Sequence, residues 1–208
     1  MSGTMSELEV LVSIALGVGL ASAVGLRVFL PLLVVSIAGY AGYLELGSDF
    51  AWLATLPAVV MLGVAATLEV LGYYVPGIDN LLDTLATPAA LVAGTIVAAA
   101  VMADLPPLVK WTTAVIAGGG AAGLTQSVTA LLRVKSTATT GGFANPVLAT
   151  GELGGSLIVS LLALAAPLIA LVLVVVFVWI VVRFARRLLR GNASRALPPA
   201  GGGNREGG

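Results

Sequence analysis

Three ionisable side chains lie in otherwise apolar sequence: Arg27, Glu69 and Glu152. Arg27 stands in Gly25-Leu-Arg-Val-Phe-Leu-Pro-Leu-Leu33, and residues 10–26 and 28–38 carry no other charge. A guanidinium at the centre of an apolar span costs at least ~2.5 kcal/mol on the mildest scale. It therefore needs an acid, a watery cavity or an anionic ligand. Glu69, in Ala65-Ala-Thr-Leu-Glu-Val-Leu, and Glu152, in Ala149-Thr-Gly-Glu-Leu-Gly-Gly, are its two candidate partners. Pairing either one with Arg27 leaves the other acid over. Such an acid can be purely structural, or it can carry a proton or cation during transport.

Two further groups belong with these. Gln126 falls near the depth of the acids, and with Asn145 it can complete a polar site. The segment Arg133-Val-Lys-Ser-Thr-Ala-Thr-Thr-Gly-Gly-Phe-Ala-Asn-Pro146 gathers two cations, hydroxyls and a helix start at Asn145-Pro146. Asn favours the N-cap and Pro the first helical turn. Lys135, Ser136, Thr137, Thr139 and Thr140 beside free helix amides form a candidate anion nest. The plainer alternative is a solvated loop whose hydroxyls cap helices. Asp79 and Asp83 invite a divalent cation, although Pro-Gly-Ile-Asp-Asn is equally a turn and cap.

Much chemistry is excluded. The chain has no cysteine and no histidine, which removes thiol chemistry, Cys/His metal sites and Ser-His-Asp triads. No phosphate-cradling Walker sequence occurs, so an enzyme is not expected, nor a cofactor or metal. Net charge is zero, against nucleic-acid binding driven by excess basic charge.

The elements that position these residues are membrane helices. Of 208 residues, 59% are hydrophobic and 10% charged, where a soluble domain has about 25% charged. A span needs about 20 helical residues. The chain reads as an all-α membrane protein of about six spans, with broken or re-entrant pieces: 8–38, tilted or broken at Gly25 and Pro31; 50–74; 88–103, preceded by an interfacial or re-entrant segment 78–87; 108–132; and two from the apolar stretch 146–182, folded near Pro167. Residues 1–190 form one transmembrane domain, and 191–208 a disordered cytoplasmic tail. Hydropathy symmetry suggests inverted repeats at 8–104 and 107–190. The short acidic N-terminus lacks a basic n-region, so the first helix is retained.

Arg183, Arg186, Arg187 and Arg190 after the last span place the C-terminus inside. With six spans both termini are cytoplasmic and the Glu45/Asp49 loop is outside. The rows Gly17/Ala21/Gly25 and Gly119/Gly123 allow helix backbones to touch, within the protomer rather than across a dimer face. Homodimerisation is still expected of so small a unit, with membrane lipids as its other partners.

Three stretches resemble a known family: Gly25-Leu-Arg-Val-Phe-Leu-Pro-Leu-Leu33; Leu68-Glu-Val-Leu-Gly-Tyr-Tyr-Val-Pro-Gly-Ile-Asp-Asn-Leu-Leu-Asp83; and Lys135-Ser-Thr-Ala through Asn145-Pro146 to Glu152. They are similar to the bacterial integral-membrane family known as domain of unknown function 4126. At Tyr73, Tyr74 and Thr87 the chain departs from that family's pattern, which places an acid, a lysine and an arginine there. The resemblance implies a multi-pass protein of the bacterial inner membrane and implies nothing catalytic.

The expectation is a small inner-membrane transporter or channel for a small solute or ion, anionic by preference and proton-coupled, with Arg27, Glu69 and Glu152 lining the site. The alternatives are a non-transporting scaffold of an envelope complex and a lipid-handling protein acting at the segment 133–145.

Overall fold

The computed structural model describes residues 6–75 and 78–193. Every regular element among them is helical. The chain divides into two compact units, Met1–Val174 and Val175–Gly208.

In the first unit, α1 (Glu7–Val24) starts from a capping box, in which Ser6 and Glu9 exchange side-chain and backbone bonds. It leads into α2 (Phe29–Tyr40) after a four-residue break. A 3-10 segment (Ser48–Ala54) bends by 68° into α3 (Leu56–Gly72), which Thr55 caps. Next come α4 (Ile78–Val101) and then α5 (Pro107–Thr113), which continues through a π-helical stretch (Ala114–Gly119) into α6 (Gly120–Thr140). α7 (Asn145–Ala165) and α8 (Pro167–Ala193) follow. Five of these helical stretches are long and apolar enough to cross a membrane, or six if the bent pair counts as one span.

Small residues bring the central helices together. A Cβ on Gly17 would meet Ala98 and Met102, and one on Gly118 would meet Ala98 and Ala21. Gly94 lies against Ala122, and Gly123 against Leu91. α1 and α6 therefore both run antiparallel to α4, at the close approach that small-residue faces permit in lipid. The glycine rows face the protomer's own interior.

The segment 8–38 is not one broken span. α1 runs against α4 with Gly17 at the Ala98–Met102 end. α2 then returns along α3, from Val28 beside Glu69 to Ser36, whose hydroxyl donates to the Leu53 carbonyl at 2.6 Å. Gly47 bonds Ala100 beyond it. The pair is a hairpin whose tip, Gly25–Val28, turns inside the bundle. Gly25 forms the break, whereas Pro31 lies in the first turn of α2. α2 has 12 residues, about 18 Å, too short to cross a ~30 Å core. The start of α1 thus shares an end of the bundle with the Glu45/Asp49 loop, which corrects the expected arrangement of the N-terminus opposite that loop.

Two other boundaries move. α4 passes through Pro88, so the expected separate segment 78–87 is its first part. Just before the proline, Thr87 Oγ1 donates to the Asp83 carbonyl at 3.3 Å. The supposed loop 133–145 is mostly helix, since α6 ends only at Thr140 and turns through Gly141 and Gly142 at φ 63° and 91°. The Pro76-Gly77 turn, the Asp79 side chain and the tail from residue 194 lie outside the described residues.

The second unit carries the C-terminal part of α8, where the Arg183 guanidinium lies over the Trp179 ring at 5.0 Å.

Candidate functional site

A helix break inside a membrane bundle leaves backbone N–H and C=O groups that must find partners, because lipid offers none. At the α1–α2 tip they do. Glu69, near the end of α3, accepts from Val28 N at 2.7 Å and Phe29 N at 3.0 Å. Its carboxylate sits on the N-terminus of α2, where the helix dipole and free amides favour an anion. On the other side of the break, the Ala23 carbonyl accepts from Leu26 N, Arg27 N and Ser156 Oγ. Gly25 is required at the tip, since a Cβ there would meet the Ala122 carbonyl oxygen and, at 2.5 Å, Thr125 Cβ.

The tip delivers Arg27 into the interior, 2% exposed. Its Nη2 donates to the Ala149 carbonyl at 2.8 Å and lies 3.4 Å from Glu152 Oε2. Arg133, on α6 and 3% exposed, takes the same carboxylate in a two-point grip. Its Nε donates to Oε1 at 3.1 Å, and its Nη2 donates to Oε2. Such forked Arg–carboxylate contacts are stronger than neutral bonds and fix geometry. Asp83 of α4 lies 3.6 Å from Arg133 Nε. Both guanidinium carbons also lie over the Tyr73 ring, 3.9 Å and 4.1 Å from its centroid for Arg27 and Arg133. Next to it, the Tyr74 hydroxyl shares a 2.8 Å hydrogen bond with Thr150 and ties the end of α3 to α7.

Two arginines therefore converge on one carboxylate and one aromatic ring. Among the described residues three of their nitrogens have no hydrogen-bond partner: Arg27 Nε, Arg27 Nη1 and Arg133 Nη1. Buried donors are nearly always satisfied, so these mark a place where a further acceptor fits.

Of the residues anticipated from sequence, Arg27 and Glu152 meet in this cluster. Glu69 is adjacent, but it serves the α2 backbone, and Arg27 pairs with Glu152. Gln126 is buried on α6 with its backbone beside Gly25, two turns from Arg133, and does not join the arginines. Asn145 binds Thr137 at the α6–α7 junction, Nδ2 to Oγ1 at 3.2 Å. Thr139 and Thr140 return their hydroxyls to the carbonyls of Lys135 and Ser136, so these residues are the last turns of a helix and not a loop nest. Ser136 is buried with its hydroxyl unpartnered, and Lys135 is exposed.

Tyr73 was not among the expected site residues, and Arg133 and Asp83 were expected elsewhere, in a loop nest after the fourth span and in a divalent-cation pair. The signal for Arg133 was present as spacing. Thr125, Thr129, Arg133 and Ser136 recur at three- and four-residue intervals and make one buried polar stripe on α6.

Helices that are apolar all round, a hairpin turning inside the bundle and a charged cluster in its interior define a polytopic helical membrane protein. A family profile described as "Domain of unknown function (DUF4126)" matches residues 14–187. The chain belongs to that family. Comparison with curated proteins and with solved structures finds no match for it.

Proposed function

We propose that the protein is a small carrier of the bacterial inner membrane that binds an anionic solute at Arg27 and Arg133 and moves a proton with it. One observation carries this reading: two buried guanidiniums share a single carboxylate while three of their nitrogens stand unpartnered. An incoming anion competes with Glu152 for the same forked donors. The cluster holds Glu152, Asp83 and Glu69 against two arginines, so the acid left over is the natural carrier of the proton. The hairpin tip, fixed by Glu69 and Ser156, is the element whose movement opens the site, in the manner of other broken membrane helices.

The test uses purified protein in liposomes and a panel of chloride, phosphate, lactate and succinate, with uptake followed under an imposed pH gradient. Uptake of at least one anion, abolished in Arg27→Gln, supports the reading. No uptake and no proton movement across the panel, together with no binding of a longer-chain carboxylate, overturns it.

A non-transporting scaffold is the second reading. It is favoured by Glu69, whose two backbone bonds are those of a structural cap. The paired exchange Arg27→Glu with Glu152→Arg discriminates. A scaffold regains folding and full function, whereas a carrier folds and stays inactive.

A further inference from the structure

Beside the cluster, α2, α3 and α4 leave a groove of about 440 Å³. Its walls are Phe29, Leu68, Leu82 and Leu85, and its floor is Glu69 and Tyr73. Gly72 against Leu82 and Ile78 brings α3 and α4 together at one end. Phe29, Leu68 and Leu85 are exposed at the groove, while Glu69 and Tyr73 are buried at its base. Exposed leucines in a membrane-spanning bundle face acyl chains, so a groove between them is open to hydrocarbon. At ~30 Å³ for each water-sized group, it holds on the order of 15 of them, one alkyl chain rather than two.

Tyr73 is the shared wall. One side of its environment is this groove, and its ring also carries the guanidiniums of Arg27 and Arg133. The arginines already grip a carboxylate, that of Glu152, and keep donors for more. Glu69 presents little bare charge to the groove, because the first amides of α2 hold both its oxygens.

We infer that the anion is a long-chain carboxylate from the surrounding bilayer, its single alkyl chain lying in the α2–α3–α4 groove and its carboxylate passing Tyr73 to Arg27 and Arg133. This rests on the anion-carrier reading above and names its substrate class. The ligand enters sideways from lipid, its carboxylate takes the place of Glu152 on the arginines, and the proton that accompanies it restores the charge count.

The experiment uses the full chain in nanodiscs with a photoreactive palmitate, mapping the crosslinked residues, alongside the small-anion uptake panel in liposomes. Ala65→Trp and, separately, Ala89→Trp fill the groove without touching the arginines, and size-exclusion profiles check that each variant folds. The expected result is labelling on α3 and α4 near Leu68 and Leu85, competed by unlabelled palmitate and reduced about tenfold or more in whichever of the two variants folds. Labelling unchanged in a folded groove-filled variant overturns the inference. So does labelling competed by phosphatidylglycerol and not by palmitate. If small anions are transported and palmitate does not label the groove, the inference fails while the carrier reading stands. If neither happens, both fail.

Discussion

At one end of the bundle Lys110 meets Asp49 at 3.0 Å; at the other, Arg27 and Arg133 converge on Glu152. Each cation is buried, but the acids differ. The Asp49 side chain is 63% exposed and that of Glu152 10%. Lys110 keeps a water-facing partner beneath Phe50 and Trp111, 6.0 Å and 5.9 Å from their rings, as a cation reaching for an interface does. The arginine pair has no such outlet. It is held by one shared carboxylate, by Asp83 beside Arg133, by one ring and by one backbone carbonyl. An ion pair that leans on water can lose a partner and be rehydrated, whereas one enclosed in protein cannot. That difference separates an anchoring contact from a site whose charge must be balanced by whatever occupies it.

The sharpest way to break this comparison is Glu152→Gln. The variant keeps the volume and removes the acid that both arginines share. Removing one partner of a buried pair costs about 3–5 kcal/mol. The unfolding midpoint in a dodecylmaltoside–SDS titration should fall accordingly, and adding Arg27→Gln should recover part of the loss, since the two residues are in one network. A loss below about 1 kcal/mol, the scale of an exposed pair, would mean that water reaches the cluster and that the two ends are alike.

Glu69→Gln tests the tip rather than the arginines. An amide offers one acceptor oxygen where the carboxylate supplies two, so Val28 N or Phe29 N loses a charged partner. Hydrogen bonds to charged groups contribute about 1.5–3 kcal/mol each, and the same titration should show a loss in that range. Proteolysis between α1 and α2 should rise with it. If the midpoint does not move, Glu69 is not the cap of α2.

Both acids were visible in the sequence as charges that lipid does not tolerate, and so was Arg27. Which acid Arg27 takes, and that Arg133 joins them, was not, because partners are set by topology. The apolar run 8–38 has the composition of one long span whether it goes straight through or doubles back. Only the contacts of Gly17 with Met102, and of Val28 with Glu69, reveal the hairpin. The break at Gly25 was legible from its glycine. Pro31 misled because proline is also at home in a first helical turn, where it stands here. The segment after Arg133 looked like a loop because lysine, serine, threonine and glycine are ordinary loop material. Yet hydroxyls bonded back to the preceding turn let those residues remain helical to Thr140. Extending α6 that far places Arg133 on the stripe of Thr125, Thr129 and Ser136, and the second arginine of the site could then be read from spacing alone. Tyr73 gave no such warning. Its role depends on two guanidiniums that arrive from helices sixty residues down the chain and from a turn far above it, and no local pattern encodes that.

The smallest expected effect lies at the opposite end. Asp49→Asn removes the acid of the Lys110 pair but leaves an oxygen that can still accept from Nζ, and it leaves Phe50 and Trp111 in place over the ammonium. Double-mutant measurements on exposed pairs give about 0.2–1 kcal/mol, and salt screens them. The midpoint should therefore shift by no more than that and by less still at high ionic strength. If the protein carries anions as proposed, uptake by Asp49→Asn should match the wild type, because the pair lies at the end of the bundle away from the arginines. A loss approaching that of Glu152→Gln would show that the Lys110 ammonium depends on Asp49 as strictly as the arginines depend on Glu152. The exposure of the acid would then be no guide to which charges this bundle can spare.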